Sequence, residues 1–272
     1  MKTRVFFDSH AVFRQEEFTL FMQEQGLNRA ASWRQSLNYH HKSGTLIHLR
    51  RFLYAVKPIS INEKDFWIDP FIIAAKATKD SILAYHTALE FHGLAYTTFE
   101  ELIYFSNTPS KPFTYQGQRF RAVTVPKKLM TKKQKDYGVE IIQRQGIKIK
   151  ITCLERTLVD LLDRPDVGGG WEEIFRSFEH VTHFNSEKLV LYALLLGNAT
   201  TIAKVGFFLE HRLSHLAVEK HVIDRLLPFI PKQPHYMNRE QRGKGKYFEK
   251  WKLIVPLEIT EKKWEEEDVE DI

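Results

Sequence analysis

The hydrophobic and polar positions of the first 60 residues follow the period of two helices and then of two strands. Residues 16–25 place apolar side chains three and four positions apart, which predicts an amphipathic helix that ends at Gly26. Residues 32–42 repeat this spacing and predict a second helix. The runs 45–49 and 52–56 alternate as two short strands. A supporting helix, a second helix and a two-stranded wing, in this order, predict a winged helix-turn-helix.

The second predicted helix has one apolar and one polar face. Ser32 is the predicted N-cap of this helix. Trp33, Leu37 and His40 are predicted to turn inward. The opposite face is predicted to carry Arg34, Gln35, Asn38 and Lys42. Long or amide side chains of this kind form paired hydrogen bonds to guanine and adenine edges in a major groove, so we predict that this helix contacts bases.

The charge of the same window points to a polyanionic partner. Residues 26–58 contain six Lys or Arg and no Asp or Glu, whereas the surface of a soluble protein normally mixes both signs. The alternative interpretation is a solvated basic surface, which is what most charge runs are. Phosphate contacts are predicted for Arg29, Arg50, Arg51 and Lys57, and base contacts for Arg34, Gln35 and Asn38. The complete set of predicted DNA-binding residues is Arg29, Ser32, Arg34, Gln35, Asn38, Lys42, Arg50, Arg51 and Lys57.

The remainder of the chain alternates between strand and helix periods, which predicts a larger mixed α+β domain. Strands are predicted over 102–105, within a hairpin at 113–125, over 139–142, 147–151 and 251–259. Helices are predicted over 81–92, 154–163, 171–180, 186–196, 200–213 and 218–227. We expect three parts: the winged helix-turn-helix at 1–60, the α+β domain at 70–260 and an acidic tail at 261–272.

The sequence contains few candidates for catalysis or metal binding. Cys153 is the only cysteine, which excludes internal disulfides and cysteine-rich zinc sites and makes a reducing compartment the expectation. His211 and His215 share a helix face, but the glutamate of a zinc-protease motif and a third ligand are missing. The glycines at 168–170 and the segment 242–246 lack the pattern of a phosphate-binding loop. We predict no catalytic residue, no metal, no cofactor and no enzymatic activity.

A second concentration of basic residues lies in the middle of the chain. Residues 111–150 contain eleven Lys or Arg against two acids. Within this region, the lysine segment consists of Lys127, Lys128, Lys132, Lys133 and Lys135. The sequence leaves three interpretations open: an extension of the DNA-binding surface, a surface for a partner or RNA, and a solvated surface.

The apolar runs of the chain are short. The longest falls well below the roughly 20 residues needed to span a bilayer, and the N-terminus lacks the uninterrupted apolar segment of a secretory signal. A soluble, cytoplasmic protein without a membrane partner is the expectation.

Three stretches of this sequence carry a family resemblance. They are LIHLRRFLYAV at the wing, SILAYHTALEFHGL, and CLERTLVDLLDRPDVGGGWEEI, with KYFEKWKLIV as a final strand. Together they resemble the AbiEi-type antitoxins of the AbiE abortive-infection systems, which are type IV toxin-antitoxin systems. The resemblance implies an antitoxin and transcriptional regulator that represses its own operon at operator DNA and counters a nucleotidyltransferase-like toxin. The Arg-Gly pair usual at the wing tip of this family is Arg51-Phe52 here.

Two other functions remain alternatives. The first is a protein that neutralises a toxin through protein or RNA contacts, without specific DNA recognition. The second is a nuclease that uses the winged helix for targeting and holds a catalytic domain within 71–260. A nuclease needs clustered carboxylates with a nearby lysine, and the residues that follow Glu140 do not supply that spacing.

Overall fold

The computed structural model describes residues 2–58, 60–211, 218–238 and 245–261 and shows a mixed α+β protein. The chain divides into two compact units. Unit 1 comprises Met1–Leu83, Phe99–Thr124 and Glu140–Ile151. Unit 2 comprises Ala84–Thr98, Val125–Val139 and Thr152–Ile272. This division differs from the predicted boundary near residue 60, because the N-terminal elements and the strands of the central sheet fall in the same unit.

Unit 1 begins with six short elements. They are α1 (Lys2–Ser9), β1 (Val12–Arg14), α2 (Gln15–Glu24), α3 (Ala30–Lys42), β2 (Leu46–Arg50) and β3 (Leu53–Val56). The strands form an antiparallel sheet in the order β1-β3-β2, with Val12 opposite Ala55 and Leu46 opposite Val56. The bounds of α2, α3, β2 and β3 agree with the predicted elements to within two residues, whereas α1 and β1 were not predicted.

An aromatic core holds these six elements together. The fully buried members are Phe6, Phe7, Phe13, Phe18, Met22, Leu37 and Leu46. Phe6 of α1 lies edge-on to Phe13 of β1, with ring centroids 5.0 Å apart. Burying one such side chain stabilises a fold by about 1.5–3 kcal/mol. The unpredicted helix α1 therefore supplies a large part of the surface on which α2 and α3 pack.

The rest of unit 1 is a six-stranded mixed sheet with one short helix. The elements are α4 (Pro70–Lys76), β4 (Ile82–Leu83), β5 (Glu101–Phe105), β6 (Phe113–Tyr115), β7 (Gln118–Val123), β8 (Val139–Arg144) and β9 (Ile147–Thr152). The strand order is β6-β7-β5-β4-β9-β8. Both predicted hairpins are present. The helix predicted from residue 81 is wrong at its start, because Leu83 lies opposite Tyr104 and Ile151 and is held as a strand from both sides.

Unit 2 is mainly helical. Its elements are α5 (Tyr85–Phe91), α6 (Lys127–Thr131), α7 (Leu154–Asp163), α8 (Gly170–Glu179), α9 (Ser186–Leu196), α10 (Ala199–His211), α11 (Lys220–Asp224), β10 (His235–Tyr236), β11 (Gly245–Phe248), β12 (Leu253–Pro256) and α12 (Leu257–Glu261). The predicted final strand at 251–259 is only partly correct, because β12 ends at Pro256 and a helical turn follows. The predicted helix at 218–227 is shortened to α11.

The glycine stretch that follows α7 begins a helix and does not end one. Helix α7 already stops at Asp163, and Gly169 stands at the N-cap of α8 with a left-handed φ of 86°. A Cβ on Gly168 would lie 2.5 Å from the Leu161 side chain, so this position accommodates only glycine without movement.

Several predicted features fall outside the described residues. These are His215, most of the segment 242–246 and the acidic tail beyond Glu261. Within the part of the chain that is described, no group of three or more His, Cys, Asp or Glu side chains could hold a metal ion. No helix in that same part combines the length and apolar character needed to cross a membrane.

Candidate nucleic-acid interface

The outer face of α3 displays the predicted base-contacting side chains. Arg34, Gln35, Asn38 and Lys42 are all exposed. Arg34, Asn38 and Lys42 follow one another at intervals of four residues, so they line one side of the helix. The structure thus brings together on one surface the four side chains that sequence patterning assigned to DNA.

Packing of the inner face fixes the rotation of α3 about its axis. Leu37 is buried in the aromatic core, and Trp33 packs against the same core. The Trp33 indole N–H donates to the Leu27 carbonyl. The His40 ring lies edge-on to Phe7 of α1 at 4.8 Å. Because the apolar face of α3 packs on the core, its polar face is exposed, as the sequence predicted.

The start of α3 differs from the prediction. Arg29 occupies the N-cap and α3 begins at Ala30, so Ser32 lies inside the first turn and does not cap the helix. The Ser32 amide donates to the Arg29 carbonyl at 3.0 Å. Arg29 itself is exposed beside the first turn. The positive charge of Arg29 is therefore accessible to a partner where α3 begins, whereas the partly buried Ser32 side chain is less accessible.

An exposed tyrosine was missed by sequence reasoning. Tyr39 lies on α3 between Asn38 and His40 with 68% of its surface exposed. Its spacing of four residues from Gln35 and three from Lys42 places it on the polar side of the helix. The helical period contained this signal, but an aromatic residue is normally assigned to a core.

The hairpin of β2 and β3, called the wing below because the sequence predicted that role, follows α3 directly, and its strand β2 lies against α3. The His41 ring of α3 and the His48 ring of β2 are 6.4 Å apart, and the His41 Nδ1–H donates to the Leu46 carbonyl of β2 at 3.1 Å. Burial and the neighbouring His41 lower the pKa of His48. The wing and the outer face of α3 therefore form neighbouring parts of one surface.

The wing tip carries a bulky residue in a conformation that favours glycine. Phe52 has a φ of 67° and is 50% exposed. The guanidinium of Arg51 lies over its ring, 4.6 Å from the centroid. A left-handed conformation costs an ordinary L-residue about 1–2 kcal/mol, so glycine would occupy this position with less strain than Phe52 does. Arg51 remains exposed and keeps its predicted place at the tip.

Two predicted phosphate contacts point elsewhere. The Arg50 guanidinium donates to Ser110 Oγ at 2.7 Å and lies over the Phe113 ring at 5.0 Å. Lys57 is only 9% exposed, and its ammonium donates to the Ile61 carbonyl. Both positive charges are used within unit 1, so we remove Arg50 and Lys57 from the set of direct phosphate contacts.

One acid of α2, Glu17, is held by an ion pair and by a backbone hydrogen bond. Glu17 forms an ion pair with Lys76 of α4 at 2.6 Å and accepts a hydrogen bond from the Arg14 backbone amide at 2.7 Å. Burial by itself would raise the pKa of Glu17, but the Arg14 amide and the Lys76 ammonium outweigh it and the pKa is lowered. These contacts also fasten the N-terminal elements to α4 within unit 1.

The lysine segment of unit 2 is partly structural. Lys128 donates to the Gly197 carbonyl, and Lys132 donates to the Leu195 carbonyl at 2.8 Å. Both carbonyls belong to the last turn of α9, where unpaired backbone oxygens and the helix dipole attract cations. The other three lysines of the segment, Lys127, Lys133 and Lys135, are exposed, as are Lys128 and Lys132. Two of the five lysines therefore bind the end of α9, and the three interpretations of the segment stay open.

Comparisons with known proteins concern the fold only. No family model matches this sequence. No curated protein matches it either. Among solved structures, the chain is similar to the Rv2827c protein of Mycobacterium tuberculosis, with a TM-score of 0.55 and 15% sequence identity, over 90% of this chain and 86% of that chain. At this identity the likeness extends the α+β architecture to nearly the whole length of both chains and carries no function.

Proposed function

We propose that the protein is a sequence-specific DNA-binding repressor that acts as the antitoxin of a toxin-antitoxin operon. The observation that carries the DNA-binding part is the outer face of α3. Arg34, Gln35, Asn38 and Lys42 project together from a helix whose opposite face is locked in a core, and no acidic residue occurs between 26 and 58. The order of helices and strands in residues 2–56 supports a winged helix-turn-helix.

A physical docking mode follows from this geometry. A B-DNA major groove is about 12 Å wide and admits an α-helix. With α3 in the groove, Arg34 and Asn38 face base edges, while Arg51 at the wing tip and Arg29 at the helix start contact the sugar-phosphate backbone. Arginine pairs with guanine and asparagine with adenine, and each paired contact contributes about 1–3 kcal/mol of discrimination.

The antitoxin part of the proposal is supported by the AbiEi-type resemblance. The most specific motif, CLERTLVDLLDRPDVGGGWEEI, spans α7, the glycine stretch and the first part of α8 in unit 2. Co-expression with the nucleotidyltransferase-like toxin encoded in the same operon tests this part. Growth restored by the intact chain is the expected result, and toxicity that is unchanged by the chain would refute the antitoxin role.

A fluorescence anisotropy titration tests DNA recognition. The purified chain is titrated against duplex DNA from upstream of its own gene and against a scrambled duplex, each at two salt concentrations. We expect a preference of about a hundredfold or more for the upstream DNA. Asn38→Ala should cost about 1–3 kcal/mol on upstream DNA only, whereas Arg51→Ala should weaken both duplexes and reduce the salt slope by about one. Equal binding of both duplexes by the wild type would refute sequence-specific repression.

One observation favours a second candidate, a toxin neutraliser that contacts RNA. Tyr39 is mostly exposed on the same face, and unstacked RNA bases stack on aromatic side chains. Each stacked base contributes about 1–3 kcal/mol. Tighter binding to a single-stranded RNA than to any duplex, lost in Tyr39→Ala and retained in Tyr39→Phe, would replace the repressor proposal.

A further inference from the structure

Arg50 connects the wing to the central sheet of unit 1. Arg50 at the end of β2 reaches across to two residues of the segment before and within β6. Its guanidinium donates to Ser110 Oγ at 2.7 Å and lies 5.0 Å from the centre of the Phe113 ring. One side chain therefore joins the base of the wing tip to residues 110–113.

Hydrogen bonds to Tyr104 and Asp80 fix the position of this segment. The Tyr104 hydroxyl of β5 lies 3.1 Å from Ser110 Oγ, and the Tyr104 side chain is fully buried. At the start of the loop, the Asn107 amide donates to Asp80 at 2.8 Å and the Ser106 hydroxyl donates to the same carboxylate at 2.7 Å. The loop 106–112 is thus tied to the sheet at both ends and presents its outer side chains in a defined place.

Lys111 is the cation that this arrangement presents. It lies between Ser110 and Phe113, both of which touch Arg50, and its side chain is exposed. The region from residue 102 to residue 135 contains no acidic residue, so the chain around Lys111 has the same one-sided charge as the window that contains α3. The acid before it, Glu101, is paired with Arg119 at 3.3 Å and with Arg121 at 2.7 Å.

We propose that Lys111 binds the DNA backbone beside the wing tip, and that Arg50 is a positioning residue that holds loop 106–112 against the wing. This inference rests on the proposed function and extends its footprint from the N-terminal elements to the central sheet. It gives Arg50 a different role from the direct phosphate contact predicted from sequence. A duplex carries one charge per roughly 1.7 Å of its axis, so further phosphates lie beside the one that Arg51 contacts. In this proposal, Lys111 binds one of those phosphates.

The size of the effect follows from counterion release. Each phosphate contact contributes about 0.9 to the slope of log affinity against log salt concentration, which corresponds to about fivefold in affinity at roughly 0.15 M salt. Backbone contacts carry no sequence information, so the loss should be equal on upstream and scrambled DNA.

The test compares Lys111→Gln with Lys148→Gln in the intact chain. Lys148 is an exposed lysine on β9, near the opposite edge of the same sheet from β6, and serves as the matched control. We expect Lys111→Gln to lose about fivefold in affinity and about 0.9 in salt slope on both duplexes, whereas Lys148→Gln binds as the wild type does. Ser110→Ala, which removes the acceptor of Arg50, should weaken binding while the slope stays within half a unit of the wild-type value.

Two outcomes would overturn the inference in different ways. If Lys111→Gln matches Lys148→Gln while Arg51→Ala loses affinity, the additional contact is absent and the repressor proposal stands. If the wild type shows no salt-sensitive binding to either duplex, the proposed function and this inference fail together.

Discussion

Gly206 provides a sharp test of the packing in unit 2, because sequence and structure predict opposite effects of one methyl group. Gly206 lies inside α10, where alanine is favoured over glycine by about 0.8–1 kcal/mol from helix propensity alone. From the sequence, Gly206→Ala is therefore a stabilising substitution. In the structure, a Cβ at this position would lie 2.0 Å from Trp251 Cζ3 and 2.2 Å from Cη2.

The destabilisation from the clash with Trp251 should exceed the stabilisation that alanine gains over glycine from helix propensity. Carbon atoms in contact prefer separations of about 3.5–4.0 Å, so the indole would have to move by more than an ångström. The ring has little freedom to move, since Trp251 is fully buried and its indole N–H donates to Glu210 at 2.7 Å. Overpacking a filled core costs about 1–3 kcal/mol and occasionally more. We expect a net loss of about 1–2 kcal/mol in the free energy of unfolding.

Thermal unfolding of the purified chain measures this effect. A loss of about 1–2 kcal/mol corresponds to a fall in Tm of roughly 2–8 °C for a protein of this size. Trp251→Phe removes Cζ3 and Cη2, the two nearest of the three clashing atoms, so in its background the same Gly206→Ala change should cost less, and the difference gives the coupling between the two sites. A Tm for Gly206→Ala equal to or above that of the wild type would refute the described packing of Trp251 on α10.

Three further predictions concern the interior of unit 2 and the wing tip. Asp160→Asn should lower the free energy of unfolding by about 3–5 kcal/mol, as measured by urea-induced unfolding. The reason is that the fully buried Arg156 guanidinium loses the carboxylate that lies 3.3 Å away. A loss below about 1 kcal/mol would contradict the ion pair. Burial would raise the pKa of Glu173, but the hydrogen bonds from His86 and Thr97 outweigh it and lower the pKa from 4.5 to about 2. This contribution to stability is complete above pH about 4.5 and is lost as the pH falls toward 2, so between these pH values the wild type should lose roughly 3 kcal/mol more stability than Glu173→Gln does. At the wing tip, Phe52→Gly should be about 1 kcal/mol more stable than Phe52→Ala in thermal unfolding, because only glycine adopts the positive φ without strain; equal stability would contradict that backbone conformation.

The helical and strand periods of the sequence predicted those elements whose side chains show one consistent inner face. Helix α3 is an example, because Trp33 and Leu37 alternate with polar residues at helical spacing, and in the structure Leu37 is buried and Trp33 is partly buried against the same core. Helix α1 and strand β1 were missed, since eight and three residues are too few to establish a period. Strand β4 was predicted as the start of a helix. Its two residues form a strand because Leu83 pairs with Tyr104 on one side and with Ile151 on the other, and both partners lie far away in sequence.

The candidate site was predicted in its outline and not in its individual charges. The one-sided composition identified a stretch whose Arg34, Gln35, Asn38 and Lys42 are exposed together on α3, because charge density is a property of sequence. Composition gives no information on where each cation points. Lys57 is buried against a carbonyl, and Arg50 lies on Phe113; both outcomes depend on residues that the sequence analysis had assigned to other parts of the chain. Lys111 was noted only as one of eleven basic residues, and its place beside the wing depends on that same Arg50 contact.

The interleaved segments of the two units have a consequence for the order in which the newly made chain can fold. The sheet β1-β3-β2 is complete once Val56 has left the ribosome, whereas the six-stranded sheet lacks a neighbour of Leu83 until Ile151 has been added. At roughly 5–20 residues per second, synthesis of the stretch from Val56 to Ile151 takes about 5–19 s. The N-terminal helices and wing therefore have many seconds to fold alone, and Arg50 acquires Phe113 only afterwards. A ribosome stalled near residue 90 should carry a folded aromatic core that has not yet been fastened to the sheet.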